Sequence, residues 1–145
     1  MEQSTFEELL ACLKLLEKRD ISFPEYGKQK RYKIFGNSTI EKDFQLFVNR
    51  KGHDRDDCLT YVMQSPTFGL MVRLDVTGPP HEGLNSEMVD TPHVHIFDEH
   101  HNDGKLVEPL SAISNTTLQE ELRDSLMAFL EYNNVDLNDV QIPLV

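Results

Sequence analysis

Apolar residues recur at helical spacing near both ends of the chain and alternate with polar ones in between. Phe6, Leu9, Leu10, Leu13 and Leu16 fall on one stripe behind Ser4-Thr5-Phe6-Glu7, an S-x-x-E capping box, which predicts a helix over residues 4–19. Pro24 and Gly27 break the chain, and the period changes after them. Tyr32 and Ile34, then Phe44, Leu46 and Val48, stand two apart, the spacing of half-buried strands that turn near Gly36-Asn37-Ser38. Leu59, Tyr61 and Met63 continue the alternation to Ser65-Pro66, and Leu70, Val72, Leu74 and Val76 resume it to Gly78-Pro79-Pro80. Short turns between four successive strands imply an antiparallel meander. Val94 and Ile96 mark a fifth strand, and Leu106-Val107 a sixth after the Asn102-Asp103-Gly104 turn.

Residues 117–132 return to helical spacing, with Leu118, Leu122, Leu126, Phe129 and Leu130 on one side and Glu120, Glu121, Arg123 and Asp124 on the other. Thr116 and Gln119 offer a second capping box, Asn133-Asn134 a stop, and Pro143 keeps the last residues from being helical. The order predicts one α+β domain over residues 1–145. Its mainly antiparallel sheet spans residues 30–110, with both helices on one face and the other face wet.

Composition agrees with one domain. The chain has 145 residues, 39% of them hydrophobic with 8 Phe, enough for a core without staples. No apolar run approaches a membrane span and no leader pattern opens the sequence, so a cytosolic protein is expected. Cys12 and Cys58 lie far apart and form no CxxC, which argues against a disulfide framework or a cysteine-ligated zinc. Twenty-five acidic residues against 14 Lys and Arg give a net charge of −11, which disfavours general coating of nucleic acid. The one basic cluster, Lys28-Gln29-Lys30-Arg31 with Lys33, reads as a solvated loop and strand start.

The unusual feature is histidine placement. Of six, five (His81, His93, His95, His100, His101) lie within 21 residues. On His93-Val94-His95-Ile96-Phe97 the side chains alternate, so with Val94 and Ile96 in the core His93 and His95 project together from the other face, about 7 Å apart at strand rise. By the same alternation Met71, Arg73 and Asp75 leave the core face. Sequential strands tend to be neighbours, so Arg73, Asp75, His93 and His95 are expected to converge, with His81 closing the group.

Such a set has two chemical uses. In a site for a phosphate-bearing substrate with no cofactor, Arg73 is the anion clamp, His93 and His95 the acid and base, Asp75 the orienter and His81 a third participant. Alternatively, His93 and His95, with His81 or Asp75, bind a divalent transition metal and leave a water position open. A plain cross-strand charge network is the third reading of the same residues. His100 and His101, beside the Asn-Asp-Gly turn, and His53 read as loop residues. No Gly-rich phosphate loop, G-x-S-x-G elbow or H-E-x-x-H is present.

Arg73-Leu74-Asp75-Val76, Gly78-Pro79-Pro80-His81 and Pro92-His93-Val94-His95-Ile96-Phe97 together resemble the pattern of a family of small uncharacterised bacterial proteins, distantly similar to toxin–antitoxin components. The resemblance covers residues 30–110, and Thr91 stands where that pattern carries Gly. It implies a compact α+β fold and a mobile-element or defence setting, with no established activity.

A competing expectation belongs to another class: a non-enzymatic protein whose acidic surface docks a basic protein partner through Glu41, Asp43, Asp54, Asp56 and Asp57. Such a partner should be retained in a pull-down at low salt and lost as ionic strength shortens the electrostatic range to about 8–10 Å. Retention that is indifferent to salt contradicts it.

Overall fold

Successive side chains of a strand point to opposite faces, and the third strand shows it cleanly: Phe44, Leu46 and Val48 are buried while Asp43 is exposed and Gln45, Phe47 and Asn49 are half-buried. A computed structural model describes residues 1–51, 59–114 and 121–142. In chain order the elements are α1 (Gln3–Ala11), β1 (Lys14–Leu16), β2 (Gln29–Gly36), β3 (Asp43–Asn49), β4 (Thr60–Ser65), β5 (Gly69–Asp75), β6 (His81–Glu82), β7 (Met88–Val89), β8 (His93–Ile96), β9 (Val107–Pro109), a 3-10 turn (Leu110–Ala112) and α2 (Glu121–Tyr132). The main sheet has seven strands in the order β1-β2-β3-β4-β5-β8-β9, every neighbour antiparallel. β6 and β7 form a separate two-stranded hairpin, inserted between β5 and β8 in sequence.

One hydrophobic cluster joins the inner face of the sheet to both helices. It holds Phe6 and Leu9 of α1, Ile34, Leu46, Tyr61, Met63, Val72, Leu74, Val94 and Ile96 of the strands, and Leu126, Phe129 and Leu130 of α2. Tyr61 fixes α2 against β4: its ring stands 5.8 Å from that of Phe129 and its hydroxyl donates to the Leu122 carbonyl at 2.9 Å. The expected α+β fold with a mainly antiparallel sheet and two helices is therefore found. No helix among the described residues is long and apolar enough to cross a membrane.

Four local expectations are corrected. The N-terminal helix stops at Ala11 instead of continuing to residue 19, because Lys14 to Leu16 pair with Ile34 to Gly36 as an edge strand. Leu16 is buried through that strand and Leu13, placed on the helical stripe, is exposed. The Ser4–Glu7 capping box does not form: the helix is capped at Glu2 without a side-chain bond, and Glu7 accepts from Gln3 instead. On β5 the expected inward series breaks at a bulge, where Met63 faces Val72 but Gln64 faces Leu70, leaving Met71 as the extra residue. Met71 is consequently buried and Leu70 exposed, the reverse of the simple alternation. Glu41, assigned to the docking surface, is buried and accepts from Ser65 Oγ at 2.6 Å and the Thr67 amide at 3.0 Å, holding the β4–β5 turn.

Other expectations fall outside the described residues: Leu118, the Thr116/Gln119 capping box, Pro143, His53, Cys58, and Asp54, Asp56 and Asp57. Cys12 is a free thiol, half-buried. Asn134 takes a left-handed conformation at the end of α2, with φ of 57°, as the stop at Asn133-Asn134 requires.

Lys14 explains why the first helix ends where it does. Its side chain is fully buried, and all three ammonium protons are used: Nζ donates to the carbonyls of Leu10 at 3.1 Å, Cys12 at 3.0 Å and Asn133 at 2.7 Å. One cation thus satisfies carbonyls at the C-terminal ends of both helices, where partial negative charge collects. Burial pushes the Lys14 pKa down to about 8, with Cys12 pulling the other way. Lys14→Met keeps the volume but takes the donor from three carbonyls, that of Asn133 buried and those of Leu10 and Cys12 part-buried. It should cost about 2–4 kcal/mol in urea denaturation; a loss under about 0.5 kcal/mol, the level of an ordinary surface change, contradicts the assignment.

Candidate functional site

The register of β5 against β8 brings the site together. Arg73 lies opposite His95 and Asp75 opposite His93, with Leu74 and Val94 turned to the core between them. The Asp75 carboxylate is the hub. Arg73 donates to it twice, Nε to Oδ1 at 3.0 Å and Nη2 to Oδ2 at 3.2 Å, while His93 Nε2 lies 3.1 Å and His95 Nε2 2.9 Å from Oδ2. Thr60 Oγ1 donates to Oδ1 at 3.4 Å. His81 arrives from the β6–β7 hairpin. The three imidazoles stand edge-on to one another, with centroids 5.0 Å (His81–His93), 5.1 Å (His81–His95) and 5.1 Å (His93–His95) apart and interplanar angles of 77°, 75° and 76°. All five residues singled out from the sequence therefore converge.

They are not on a wet face, as the sequence suggested. His93 is fully buried, His95 5% and Asp75 9% exposed, because the hairpin and the loop after β8 cover this end of the outer face. The covering backbone also orients the rings. His93 Nδ1 is 3.1 Å from the Val89 carbonyl of β7, and His95 Nδ1 is 2.7 Å from the Gly104 carbonyl. A carbonyl only accepts, so both Nδ1 atoms carry the proton and both Nε2 atoms are turned to Asp75. Asn102, Asp103 and Gly104 are left-handed in succession, with φ of 50°, 54° and 84°. Position 104 requires glycine twice over, since a Cβ there would also lie 2.6 Å from the Phe97 ring.

The electrostatics are uneven. Burial alone would raise the Asp75 carboxyl, but its contacts with His93 and His95 and the Arg73 charge outweigh that and hold it far below the usual carboxylate range. Burial, reinforced by His93 and His95, lowers His81 from the ordinary histidine value against the pull of Asp75. His81 therefore presents a neutral ring, and it makes no hydrogen bond to any described residue. His95 is caught between two neighbours: Nε2 is 2.9 Å from both Arg73 Nη2 and Asp75 Oδ2. Deprotonated, it accepts from Arg73 and faces Asp75 lone pair to lone pair; protonated, it suits Asp75 and faces Arg73 donor to donor. One of the two contacts is unsatisfied in either state.

Asp75, His81, His93 and His95 each offer one ligand atom, and the four atoms lie within 4.8 Å of one another. In a tetrahedral zinc site with bonds near 2.0–2.1 Å the ligand atoms stand about 3.3 Å apart. The group is thus close to the dimensions of a metal cage.

A second cluster was missed by reading His101 as loop. His101 does lie in a turn, but it is buried and bridges two carboxylates, Nδ1 to Asp98 Oδ1 and Nε2 to Glu108 Oε2, both at 2.7 Å. The D-x-x-H spacing was the available signal; Glu108 comes from β9, the sixth strand expected at Leu106-Val107, but no local pattern pairs it with His101. Gln3 of α1 ties into the same loop, with Nε2 3.4 Å from Asp98 Oδ2 and Oε1 accepting from the Glu99 amide at 3.0 Å. The loop that supplies the Gly104 carbonyl to His95 is thereby fastened to α1. His100 is exposed.

Fold and site together define an α+β sheet protein with a buried Asp/His cluster and one arginine at its edge. A family model matches residues 1–135, and the chain belongs to that family, a family of unknown function (DUF6978). No curated protein and no solved structure matches the chain.

Burial opposes the charged form of His101, but its hydrogen bonds to Asp98 and Glu108 and their charges outweigh burial and raise its pKa above the ordinary 6.5. Tyr132, whose own pKa is pushed up to about 12 by burial and by Asp98 and Glu108, stays neutral beside it. A raised histidine contributes stability that is complete below its unfolded value and lost as pH rises through its folded one. Urea denaturation in pH steps should therefore show wild type losing stability as pH climbs above 6.5. His101→Gln should be about 1–3 kcal/mol weaker at pH 6 and flatter above it. Parallel curves for the two proteins contradict the bridge.

Proposed function

We propose that Asp75, His81, His93 and His95 bind one divalent transition-metal ion and that this centre is where the chain acts. The observation that carries the reading is His95 Nε2 lying 2.9 Å from both a donor-only and an acceptor-only neighbour. A cation that takes the lone pairs of His95 and Asp75 removes that conflict. Two further features support it. The Nδ1 protons of His93 and His95 are held by backbone carbonyls, the outer contact that orients metal-ligating histidines. His81 brings a neutral imidazole with no other described partner.

Three imidazoles and a carboxylate suit zinc and other first-row ions. With four protein ligands a water would take a fifth position, and such an ion would there supply Lewis acidity and lower the pKa of that water. The cofactor-free version, with His93 and His95 as acid and base and Asp75 as orienter, has less support. Each Nδ1 is committed to a carbonyl and each Nε2 is directed at Asp75, so neither ring has a nitrogen facing outward. The mobile-element or defence setting and the basic partner are the cellular side of the proposal, resting on the resemblance and on the charge of −11.

Untagged protein should carry about one metal ion per chain by elemental analysis, because a site assembled by the fold binds its ion as part of the folded state. His93→Ala/His95→Ala should lose it while retaining the wild-type circular dichroism spectrum. His81→Ala should weaken zinc or cobalt binding about 10–100-fold. Protein that purifies without metal and takes up neither zinc nor cobalt in a micromolar titration overturns the proposal.

A further inference from the structure

Charge around the centre points to what it would hold. With a divalent ion bound, the metal and Arg73 together carry three positive charges, and Asp75 is the only carboxylate in the cluster. Asp75 and its histidine partners are nearly sealed, and a buried excess of that size calls for a counter-charge. Among the described residues no other carboxylate offers a ligand atom to the group, and Asp98 and Glu108 are both committed to His101. The excess matches a dianion.

Arg73 supplies the place for it. Its guanidinium lies at the solvent edge of the cluster beside the half-buried His81, with the side chain 34% exposed. In the metal-free arrangement its Nη2 is spent on His95 Nε2 and Asp75 Oδ2. A metal that claims the one lone pair of His95 Nε2 removes that partner of Nη2, while Asp75 Oδ2 keeps a second lone pair for it. The freed N–H leaves the outer edge of the guanidinium as a planar donor edge at the mouth of the centre. Resting on the metal reading above, we infer that the centre takes a phosphate-bearing ligand, one phosphate oxygen on the metal and a second on Arg73. The phosphate dianion neutralises the excess, whereas a carboxylate cancels half of it. Paired oxygens also fit the guanidinium fork, a match that lysine's single ammonium does not reproduce.

The test uses zinc-loaded full-length chain, dialysed free of excess metal, with inorganic phosphate as the probe and acetate as the comparison, both by isothermal titration calorimetry. Zinc content is measured for every sample. Phosphate should bind the zinc-loaded wild type one to one and the zinc-free protein at least tenfold more weakly. Arg73→Gln should keep its zinc and lose at least tenfold in phosphate affinity, and Arg73→Lys should fall between the two. Acetate should bind at least tenfold more weakly than phosphate. Zinc-loaded wild type that ignores phosphate, binds acetate equally well, or binds phosphate as tightly after Arg73→Gln overturns this inference and leaves the metal centre standing. A chain that takes up no zinc overturns both. Should Arg73→Gln lose zinc, its phosphate affinity is read in the Arg73→Lys protein, where a value equal to wild type overturns the clamp.

Discussion

A single ionised carboxylate, that of Asp75, is the constraint around which this end of the molecule is arranged. Carrying a negative charge into a protein interior costs several kcal/mol unless partners are brought to it. Arg73 on the same strand, Thr60 on one neighbour and His93 and His95 on the other provide them. That requirement reaches into the backbone. A one-residue slip of β8 along β5 would put His93 and His95 on the helix-covered face and Val94 against a charge. The β5–β8 register is thus specified from both faces, by the apolar core on one and by the carboxylate on the other. The bulge at Met71 serves the same end, since it resets the phase of β5 just before Arg73.

What the sequence made legible follows from where two periods were clean. Alternation in β3, β4 and β8 placed those strands, and the assignment of Arg73 and Asp75 to the face away from Leu74 was enough to bring both opposite His95 and His93. Composition contributed the clustering of histidines. The errors arose where a residue's fate is decided by distant chain. Lys14 looks like a surface residue on a helix, and it is buried because carbonyls from two separate helix ends meet at its ammonium. Met71 and Leu70 exchange places through a bulge that no local pattern signals.

Burial of the histidine cluster was illegible for a different reason. The cover is a hairpin whose strands have two residues each, too short to show a period, and a loop whose left-handed run only Asn102-Asp103-Gly104 betrays. The same applies to His101, whose second carboxylate comes from β9. In each case the decisive contact joins segments whose proximity is a product of the fold.

The hairpin gives the centre an asymmetric construction. Asp75, His93 and His95 sit on adjacent strands of a seven-stranded sheet, while His81 is carried by a ribbon joined to that sheet through the Gly83–Val107 bridge. Two-stranded ribbons have little stability of their own. In the proposed centre, occupancy and seating of the ribbon are therefore one linked equilibrium, because unseating the ribbon withdraws one of the four ligands. Affinity then depends on how firmly the twelve residues from Gly78 to Val89 are seated, while the sheet beneath stays unchanged.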